Sequence, residues 1–474
     1  MRLLVRRHLG FFLAVTAAAF ALRLFFLWKF RFVVGDSLIY GDIAKNWLRH
    51  GLFALTEDGV PAPTYIRLPG YPAFLALIWK IFGLEHYTAV MVAQMFFDIG
   101  TAYALAALAR LAAWEGAALV AFLLYALNPF TANYVATPLT EALAVFFTAL
   151  ALLFAVKCLL SLQDEQRWDS RYWVCCGLAI AAGTMLRPDA GILLAGIGGY
   201  VFLQLLRLHK RRIVFAALLL IVSALAPLVP WTLRNWRVFH VFEPLAPRYA
   251  NSPSEFVPAG FNRWVKTWLL DYVSVDEIYW HVPGESIDIS KLPTRAFDSA
   301  LQRARTEQLF AAYNATCDSG CGMTPELDSQ FASLAAERIR HAHLRYYCWL
   351  PLARLADMWL RPRVEALPLE AHWWHFFSDP SDSAIGIALG AINLAYLVAA
   401  LIGAARRRLA YAGLFILWIA LRCAFLATLE NPEPRYTLEC WPVVCVFAAA
   451  NFKRRSMLRL YIARDDQVHY SSGG

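Results

Sequence analysis

Apolar residues occur in long uninterrupted runs along this chain rather than in short alternating patterns. A helix needs roughly 20 consecutive apolar residues to cross about 30 Å of hydrocarbon, and ten runs approach or reach that length. They lie at about 9–30, 88–109, 116–133, 139–160, 172–187, 190–206, 213–233, 384–405, 409–428 and 437–452. The pattern predicts an all-α polytopic membrane protein with about ten transmembrane helices.

The composition excludes most soluble classes of protein. Of the 474 residues, 59% are hydrophobic and 17% are charged, against about 45–50% and 25% in typical soluble domains. A disordered chain, a nucleic-acid-binding arm and an ordinary soluble enzyme all fit poorly. The first run follows Arg2, Arg6 and Arg7, but it is longer than the 7–15 apolar residues that are usual in a signal peptide. We therefore expect a retained anchor.

The distribution of Lys and Arg predicts the orientation, because short cytoplasmic connections are enriched in these residues. With the N-terminus in the cytoplasm, eighteen cations collect on that side: Arg2, Arg6, Arg7, Arg110, Arg167, Arg171, Arg207, Lys210, Arg211, Arg212, Arg406, Arg407, Arg408, Lys453, Arg454, Arg455, Arg459 and Arg464. The short turns on the other side hold only Arg187 and Arg435. Both termini are thus predicted to be cytoplasmic.

This topology predicts four parts of the chain. They are an N-terminal membrane half (1–233) with an outer segment at 31–87, a large extracytoplasmic segment (234–383), a three-span part (384–452) and a cytoplasmic tail (453–474). Both outer segments mix apolar, aromatic and basic residues, as in SLIYGDIAKNWLRHGLF and AERIRHAHLRYYCWLPLARLADMWLRPR. Helices that lie at the headgroup level use such mixtures, so we expect interfacial helices in both segments.

The predicted topology brings polar residues from five distant places to the outer membrane face. Arginines that face acidic groups at span ends are typical of a pocket for an anionic ligand. The candidates are Asp36, Arg67, Tyr71, Glu141, Arg187, Asp189, Arg234, Asn235, Glu433, Arg435 and Tyr436.

Simpler roles stay open for most of these residues. Glu141 and Asp189 fall in predicted first helical turns, where a carboxylate is favoured by the helix dipole, and Asp36 fits an N-cap. The arginines also fit a snorkelling role, with the charged head at the interface. Within the spans, Arg23 and Asp98 are interpreted as a structural ion pair.

The sequence predicts no metal site, and a divalent cation stays an open possibility. His341 and His343 lie two apart on a predicted helix and point to different sides. Cys317 and Cys321 fit either an outer disulfide or two free thiols. The Asn314-Ala315-Thr316 triplet fits a glycosylation sequon, which matters only in a eukaryotic source.

Six motifs in this order resemble the GT-C membrane glycosyltransferases, in particular the bacterial relatives of the protein O-mannosyltransferase and aminoarabinose (lipid A) transferase group. They are GDSLIYGDIAKNWLRHG, IRLPGYPAFLALIWKIFG, TPLTEALAVFF, LRPDAG, PWTLRNWRVFH and EPRYTLECWPVV. The resemblance implies a bacterial inner-membrane enzyme that transfers a sugar from a polyprenyl-phosphate donor to an extracytoplasmic acceptor. It places the catalytic carboxylate at Asp36.

The residue types suit such a transfer. Asp36 is predicted to act as general base, Arg67, Arg187 and Arg435 to bind the phosphate, and Arg234 to assist them. Tyr71 and Tyr436 are predicted hydrogen-bond donors, and Glu141 and Asp189 are predicted to orient arginines or sugar hydroxyls. The chain departs from the group where Ser37 follows Asp36 and where Ile66 precedes Arg67. Both departures disfavour metal binding and an aminoarabinose donor.

Two other classes of protein remain as alternatives. A transporter or lipid flippase is also polytopic and carries charges within the membrane, but inverted repeats and broken mid-membrane helices are its usual signs. A non-catalytic membrane scaffold is the second alternative. Within the enzyme class, the sugar, the oligomeric state and the acceptor stay open; the acceptor is lipid A, another glycan or a secreted protein.

Overall fold

The computed structural model describes residues 1–33, 35–163, 168–208, 211–252, 255–369, 372–406 and 409–452. The predicted tail and the predicted cytoplasmic cations Arg167, Lys210, Arg407 and Arg408 lie outside these ranges. The chain forms two compact units. The first unit comprises the described parts of Met1–Ser252, Leu394–Leu421 and Leu438–Gly474, and the second comprises those of Pro253–Asn393 and Arg422–Thr437.

The first unit is almost entirely helical. Its α-helices are Arg2–Arg7, Leu9–Lys29, Gly35–His50, Gly70–Phe82, Tyr87–Ala112, Glu115–Ala126, Pro129–Asn133, Glu141–Gln163, Ser170–Leu186, Ile192–Leu208, Arg211–Leu225, Leu228–Phe239 and Trp441–Ala449. Short 3-10 turns at Tyr134–Ala136 and Pro188–Gly191 join some of them. The Pro380–Ala405 and Ala412–Leu426 helices each contribute residues to both units.

The described residues include four helices long and apolar enough to cross a membrane: Leu9–Lys29, Tyr87–Ala112, Glu141–Leu162 and Pro380–Ala405. Two bent pairs raise that number to six if each pair is one span. The bends occur where predicted runs contain Pro129 and Pro227, because proline lacks the amide hydrogen that continues a helix. The chain therefore has the helices of an integral membrane protein.

The first outer segment folds into two helices joined by a β-hairpin. The sequence predicts both helices, and the structure places them at Gly35–His50 and Gly70–Phe82. Strands Ala54–Glu57 and Val60–Pro63 pair antiparallel between them. Asp58 and Gly59 form the turn with φ of 47° and 80°, the positive values that a two-residue hairpin turn requires.

A buried ion pair holds the Leu9–Lys29 helix to the Tyr87–Ala112 helix inside the first unit. Arg23 Nη2 lies 2.5 Å from Asp98 Oδ2, and both side chains are buried. Tyr125 donates a hydrogen bond to the other carboxylate oxygen at 2.6 Å. The structural role predicted for Arg23 and Asp98 matches this geometry.

The second unit has a hydrophobic core of its own. Its α-helices are Ala259–Val265, Tyr272–Ser274, Ala300–Asn314, Pro325–His341 and Leu350–Leu360, with π-helical turns at Val275–Tyr279 and Arg345–Trp349 and 3-10 turns at Ile289–Lys291, Thr294–Ala296 and Cys317–Ser319. A further 3-10 segment, Pro434–Cys440, runs from this unit into the first.

Aromatic rings form the centre of that core. Trp264, Trp268, Phe310 and Phe331 are buried against one another. The tryptophans of WVKTW therefore face the interior of the unit. This packing removes their apolar area from water. The sequence predicted that the same apolar area would be buried at the lipid headgroups instead.

Cys317 and Cys321 are joined by a disulfide in the second unit. This is one of the two alternatives that the sequence left open. Disulfides persist mainly in oxidising compartments, so the bond is compatible with an extracytoplasmic second unit.

Candidate functional site

Asp36 and Arg67 form an ion pair in the first outer segment. Asp36 lies in the first turn of the Gly35–His50 helix, and Arg67 lies in the loop that follows the hairpin. Arg67 Nη2 donates to Asp36 Oδ1 at 2.8 Å, with 36% of the Asp36 side chain and 19% of the Arg67 side chain exposed. The carboxylate is therefore accessible while a cation holds it in place.

A glycine lets this segment approach the membrane helices closely. A Cβ atom at Gly70 would lie 2.5 Å from the Met185 carbonyl oxygen, so only glycine fits there without movement. Met185 is near the end of the Ser170–Leu186 helix, two residues before Arg187. The close contact brings the loop that carries Arg67 against the helix end that carries Arg187.

Arg187 is surrounded by three carboxylates. Its guanidinium lies 3.1 Å from Glu141 Oε1, 3.3 Å from Asp189 Oδ1 and 3.3 Å from Glu439 Oε1. Glu141 and Glu439 are buried, whereas Arg187 and Asp189 are partly exposed. The structure thus brings together the predicted residues Glu141, Arg187 and Asp189, and it adds Glu439, which sequence reasoning missed.

Tyr40 contacts Arg67 through its ring, lies within the electrostatic influence of both groups of charges, and was also missed from the sequence. The Tyr40 hydroxyl interacts electrostatically with four charged groups: Asp36, Arg67, Glu141 and Arg187. Burial raises the pKa of Tyr40 to about 12, and the neighbouring carboxylates add to the rise while the two guanidinium groups oppose it. The phenol is therefore neutral at physiological pH. Its position four residues after Asp36 on one helix was the available signal.

Tyr71 is fully buried beneath this site. Its hydroxyl donates to Gln94 Oε1 at 2.6 Å, and the Gln94 amide donates to the Thr137 carbonyl oxygen at 2.9 Å. The Tyr71 ring contacts the Tyr40 ring edge to face at 5.0 Å between centroids. The buried Tyr71 ring therefore fixes the position of the Tyr40 ring by direct contact.

Arg234 contacts the backbone on both sides of the hairpin. Its guanidinium donates to the Thr64 carbonyl oxygen at 2.5 Å and to the Phe53 carbonyl oxygen at 2.8 Å. It also stacks on the rings of Phe53, Trp231 and Phe239. The neighbouring Asn235 is buried and donates to the Glu243 carbonyl oxygen at 2.9 Å. Arg234 therefore fixes the hairpin that precedes Arg67.

Arg435 and Tyr436 belong to the second unit. Arg435 Nε lies 2.5 Å from Glu433 Oε2, and the Tyr436 hydroxyl donates to Glu433 Oε1 at 2.5 Å. The Asn431 amide donates to the same Glu433 oxygen at 3.0 Å. That Arg435 and Tyr436 share one site with Asp36 stays a prediction from the sequence.

A separate cavity of about 590 Å³ in the second unit has four acidic residues among the nine that line it. Its lining residues are Asp276, Glu277, His281, Lys291, Pro368, Leu369, His372, Asp379 and Asp382. Burial raises the pKa of Asp276, and the nearby His281, Lys291 and His372 oppose that rise. Within the described ranges, no group of three or more His, Cys, Asp or Glu side chains is arranged to hold a metal ion.

Comparisons with known proteins address the fold. Residues 63–231 match the sequence model of the family described as dolichyl-phosphate-mannose-protein mannosyltransferase. That range includes Arg67, Tyr71, Glu141, Arg187 and Asp189. No curated protein sequence matches the chain significantly.

Solved structures of similar fold include the oligosaccharyltransferase AglB from Archaeoglobus fulgidus, in complex with an inhibitory peptide and a dolichol-phosphate. The TM-score is 0.52 at 13% identity, over 97% of this chain and 52% of AglB. The chain thus spans about half the length of that protein. A structure of the Archaeoglobus fulgidus oligosaccharyltransferase, tethered to an acceptor peptide, matches 94% of this chain and 49% of its own length at 12% identity and a TM-score of 0.52.

ArnT from Cupriavidus metallidurans, bound to undecaprenyl phosphate, matches 93% of this chain and 76% of its own length at 14% identity. Its TM-score is 0.40. The family match and the fold of AglB confirm the resemblance to the GT-C membrane glycosyltransferases that the sequence motifs indicated.

Proposed function

We propose that this protein is an integral-membrane glycosyltransferase that moves a sugar from a polyprenyl-phosphate donor to an acceptor on the extracytoplasmic face. The observation that carries the proposal is the Asp36–Arg67 pair, an accessible carboxylate held 2.8 Å from a guanidinium group in the first outer segment. The family match and the AglB fold support the reaction class.

The proposed reaction is a single displacement at the anomeric carbon. Asp36 takes the proton of an acceptor hydroxyl as that oxygen attacks the carbon from the face opposite the phosphate. The new C–O bond forms while the bond to the phosphate oxygen breaks, and the electron pair leaves on the phosphate. One displacement inverts the anomeric configuration. General-base assistance of this kind is worth about 10² to 10⁴ in rate.

Arginines balance the charge that develops on the departing phosphate. Arg67 and Arg187 are proposed to bind it, and the phosphate-binding roles of Arg435 and Tyr436 stay predictions from the sequence. Glu141 and Asp189 orient Arg187, with which both are in contact. For Arg234 and Tyr71 we propose positioning roles, since Arg234 holds the hairpin and Tyr71 supports Tyr40.

The proposed location is the inner membrane of a bacterium, with about ten spans and both termini in the cytoplasm. The eighteen cations on one side of the predicted topology support that orientation. The acceptor remains lipid A, another glycan or a secreted protein.

One helical segment of the second unit supports an interfacial location. Between His343 and Leu360, the outward side chains are apolar at every fourth position, and Tyr347 and Trp349 flank them; the stripe is Leu344, Cys348, Leu352, Ala356 and Leu360. The opposite face buries Arg354 and Met358. Asn393 of the long Pro380–Ala405 helix donates to the Trp359 carbonyl oxygen at 2.7 Å. The stripe thus adjoins a helix that is able to span the membrane, and we propose that it lies against lipid.

A spin label on Cys348 tests this location. In proteoliposomes we expect the label to be relaxed more by oxygen, which partitions into lipid, than by a water-soluble nickel complex. The matched control is Ser333→Cys in a Cys348→Ser background, because Ser333 is exposed on another helix of the same unit. Equal access of the nickel complex to both labels would contradict a lipid contact.

The function is tested in the native membrane. Envelope glycolipids and glycans are compared by mass spectrometry between the parent strain, a strain that lacks the gene, and strains complemented with wild-type protein or with Asp36→Asn. We expect one glycosylated species to disappear on deletion and to return only with the wild type. Identical profiles in all four strains would count against the proposal.

A further inference from the structure

The proposed reaction assigns no role to the hydroxyl group of Tyr40, a polar side chain at this site. It lies one helical turn after Asp36 on the Gly35–His50 helix, so both side chains share one face. The Arg67 guanidinium carbon lies 5.7 Å from the Tyr40 ring centroid. Arg67 is therefore held by the carboxylate of one residue and by the ring face of the other.

The Tyr40 hydroxyl makes no hydrogen bond to any residue that the structure describes. It nevertheless lies among four charged groups, two guanidinium and two carboxylate, contributed by three separate parts of the first unit. The Tyr40 side chain is only partly buried. A phenol that contacts one guanidinium group through its ring and lies within the electrostatic influence of a second is well placed to meet an anion that both attract.

The Tyr40 hydroxyl is protonated at pH 7, as an ordinary tyrosine hydroxyl is, and burial raises its pKa further, to about 12. A neutral phenol does not act as a proton acceptor toward a substrate hydroxyl at pH 7. It donates, and the strongest acceptors for a neutral donor are oxygens that carry negative charge.

We infer that Tyr40 is a further catalytic residue, whose hydroxyl donates a hydrogen bond to a phosphate oxygen of the lipid-linked sugar donor. This inference rests on the proposed function. As the bond from the anomeric carbon to phosphate breaks, the phosphate gains one unit of negative charge, and the hydrogen bond to it strengthens. The Tyr40 hydroxyl keeps its proton throughout, since the acceptor proton goes to Asp36.

The test is Tyr40→Phe, which removes the hydroxyl and keeps the ring that supports Arg67. We expect kcat for transfer to fall about 10- to 100-fold, the usual effect of one hydrogen bond to a charged group, with KM for the donor changed less than threefold. Binding of polyprenyl phosphate alone, the dianionic product, should weaken by a similar 10- to 100-fold. The pH profile should keep its shape, because Tyr40 does not titrate below about pH 10.

Tyr103→Phe is the matched control, since it makes the same change at another tyrosine of the first unit, whose hydroxyl lies 2.8 Å from the Thr16 hydroxyl. It lies about 24 Å down the Tyr87–Ala112 helix from the outer end. If Tyr40→Phe matches Tyr103→Phe in kcat and in product binding while the wild type transfers sugar, the inference about Tyr40 is overturned and the proposed function stands. If the wild type itself cleaves no polyprenyl-phosphate sugar, the proposed function fails first.

Discussion

Replacing Asp36 with Asn is expected to lower the rate of sugar transfer by about 10² to 10⁴-fold, the range that a general base supplies. Asn is nearly the same size as Asp and still accepts a hydrogen bond from Arg67, but it cannot take a proton from the acceptor hydroxyl. Expression and donor binding should therefore persist. Transfer and binding of polyprenyl-phosphate sugar are measured on purified protein in nanodiscs.

Asp58→Asn is the matched control for this variant. Asp58 is exposed at the tip of the hairpin in the same outer segment, with φ of 47°, a conformation that Asn adopts as readily as Asp. We expect wild-type transfer from it. A fully active Asp36→Asn protein would remove Asp36 as the base and leave the pair with Arg67 a purely structural role.

Arg187→Met is expected to lower the free energy of unfolding by about 3 kcal/mol, the lower end of the range for removing one partner from a buried ion pair, because Glu141 and Glu439 are buried while Arg187 is partly exposed. Arg187 is the one guanidinium, among the contacts described above, that Glu141, Asp189 and Glu439 share. Without it, three carboxylates repel one another at short range in a site of low dielectric constant. Thermal unfolding in detergent measures the loss.

The double variant Arg187→Met with Glu439→Gln separates charge from packing. Because it removes one of the three like charges, it should recover part of the lost stability. Arg303→Met supplies the control, since Arg303 pairs with Glu307 on an exposed helix face and such pairs contribute less than about 1 kcal/mol. Equal melting of Arg187→Met and the wild type would show that the three carboxylates do not depend on Arg187.

The helices of the first outer segment were predictable from the sequence, because apolar periodicity indicates which face of a helix is buried. Run length likewise predicted the four span helices of the described residues, or six if each bent pair is one span, whereas the count of about ten spans stays a prediction. The breaks at Pro129 and Pro227 follow from proline chemistry, yet long apolar runs concealed them. The hairpin also had a local signal, Asp58-Gly59, between the two predicted helices. A Pro-rich flank beside this short pair obscured it.

Partners within the candidate site were less predictable. Tertiary contacts decide that Arg187 meets Glu439, which lies 252 positions later in the sequence, and that Arg234 bonds backbone carbonyls. Chemical type alone suggested phosphate binding for Arg234, because an arginine at a span end suits both roles. Trp264 and Trp268 show the same limit, since aromatic and basic mixtures suit a membrane interface and a small core equally.

The central claim is that this protein breaks the bond between a sugar and a lipid phosphate, and proteoliposomes test it most directly. Wild-type protein is reconstituted into vesicles that contain a panel of synthetic polyprenyl-phosphate sugars with a mixture of candidate acceptors, and free polyprenyl phosphate is measured by mass spectrometry. The predicted result is release of polyprenyl phosphate and formation of a glycoside whose anomeric configuration is opposite to that of the donor. Movement of intact donor across the bilayer without cleavage would instead identify a flippase and contradict the account.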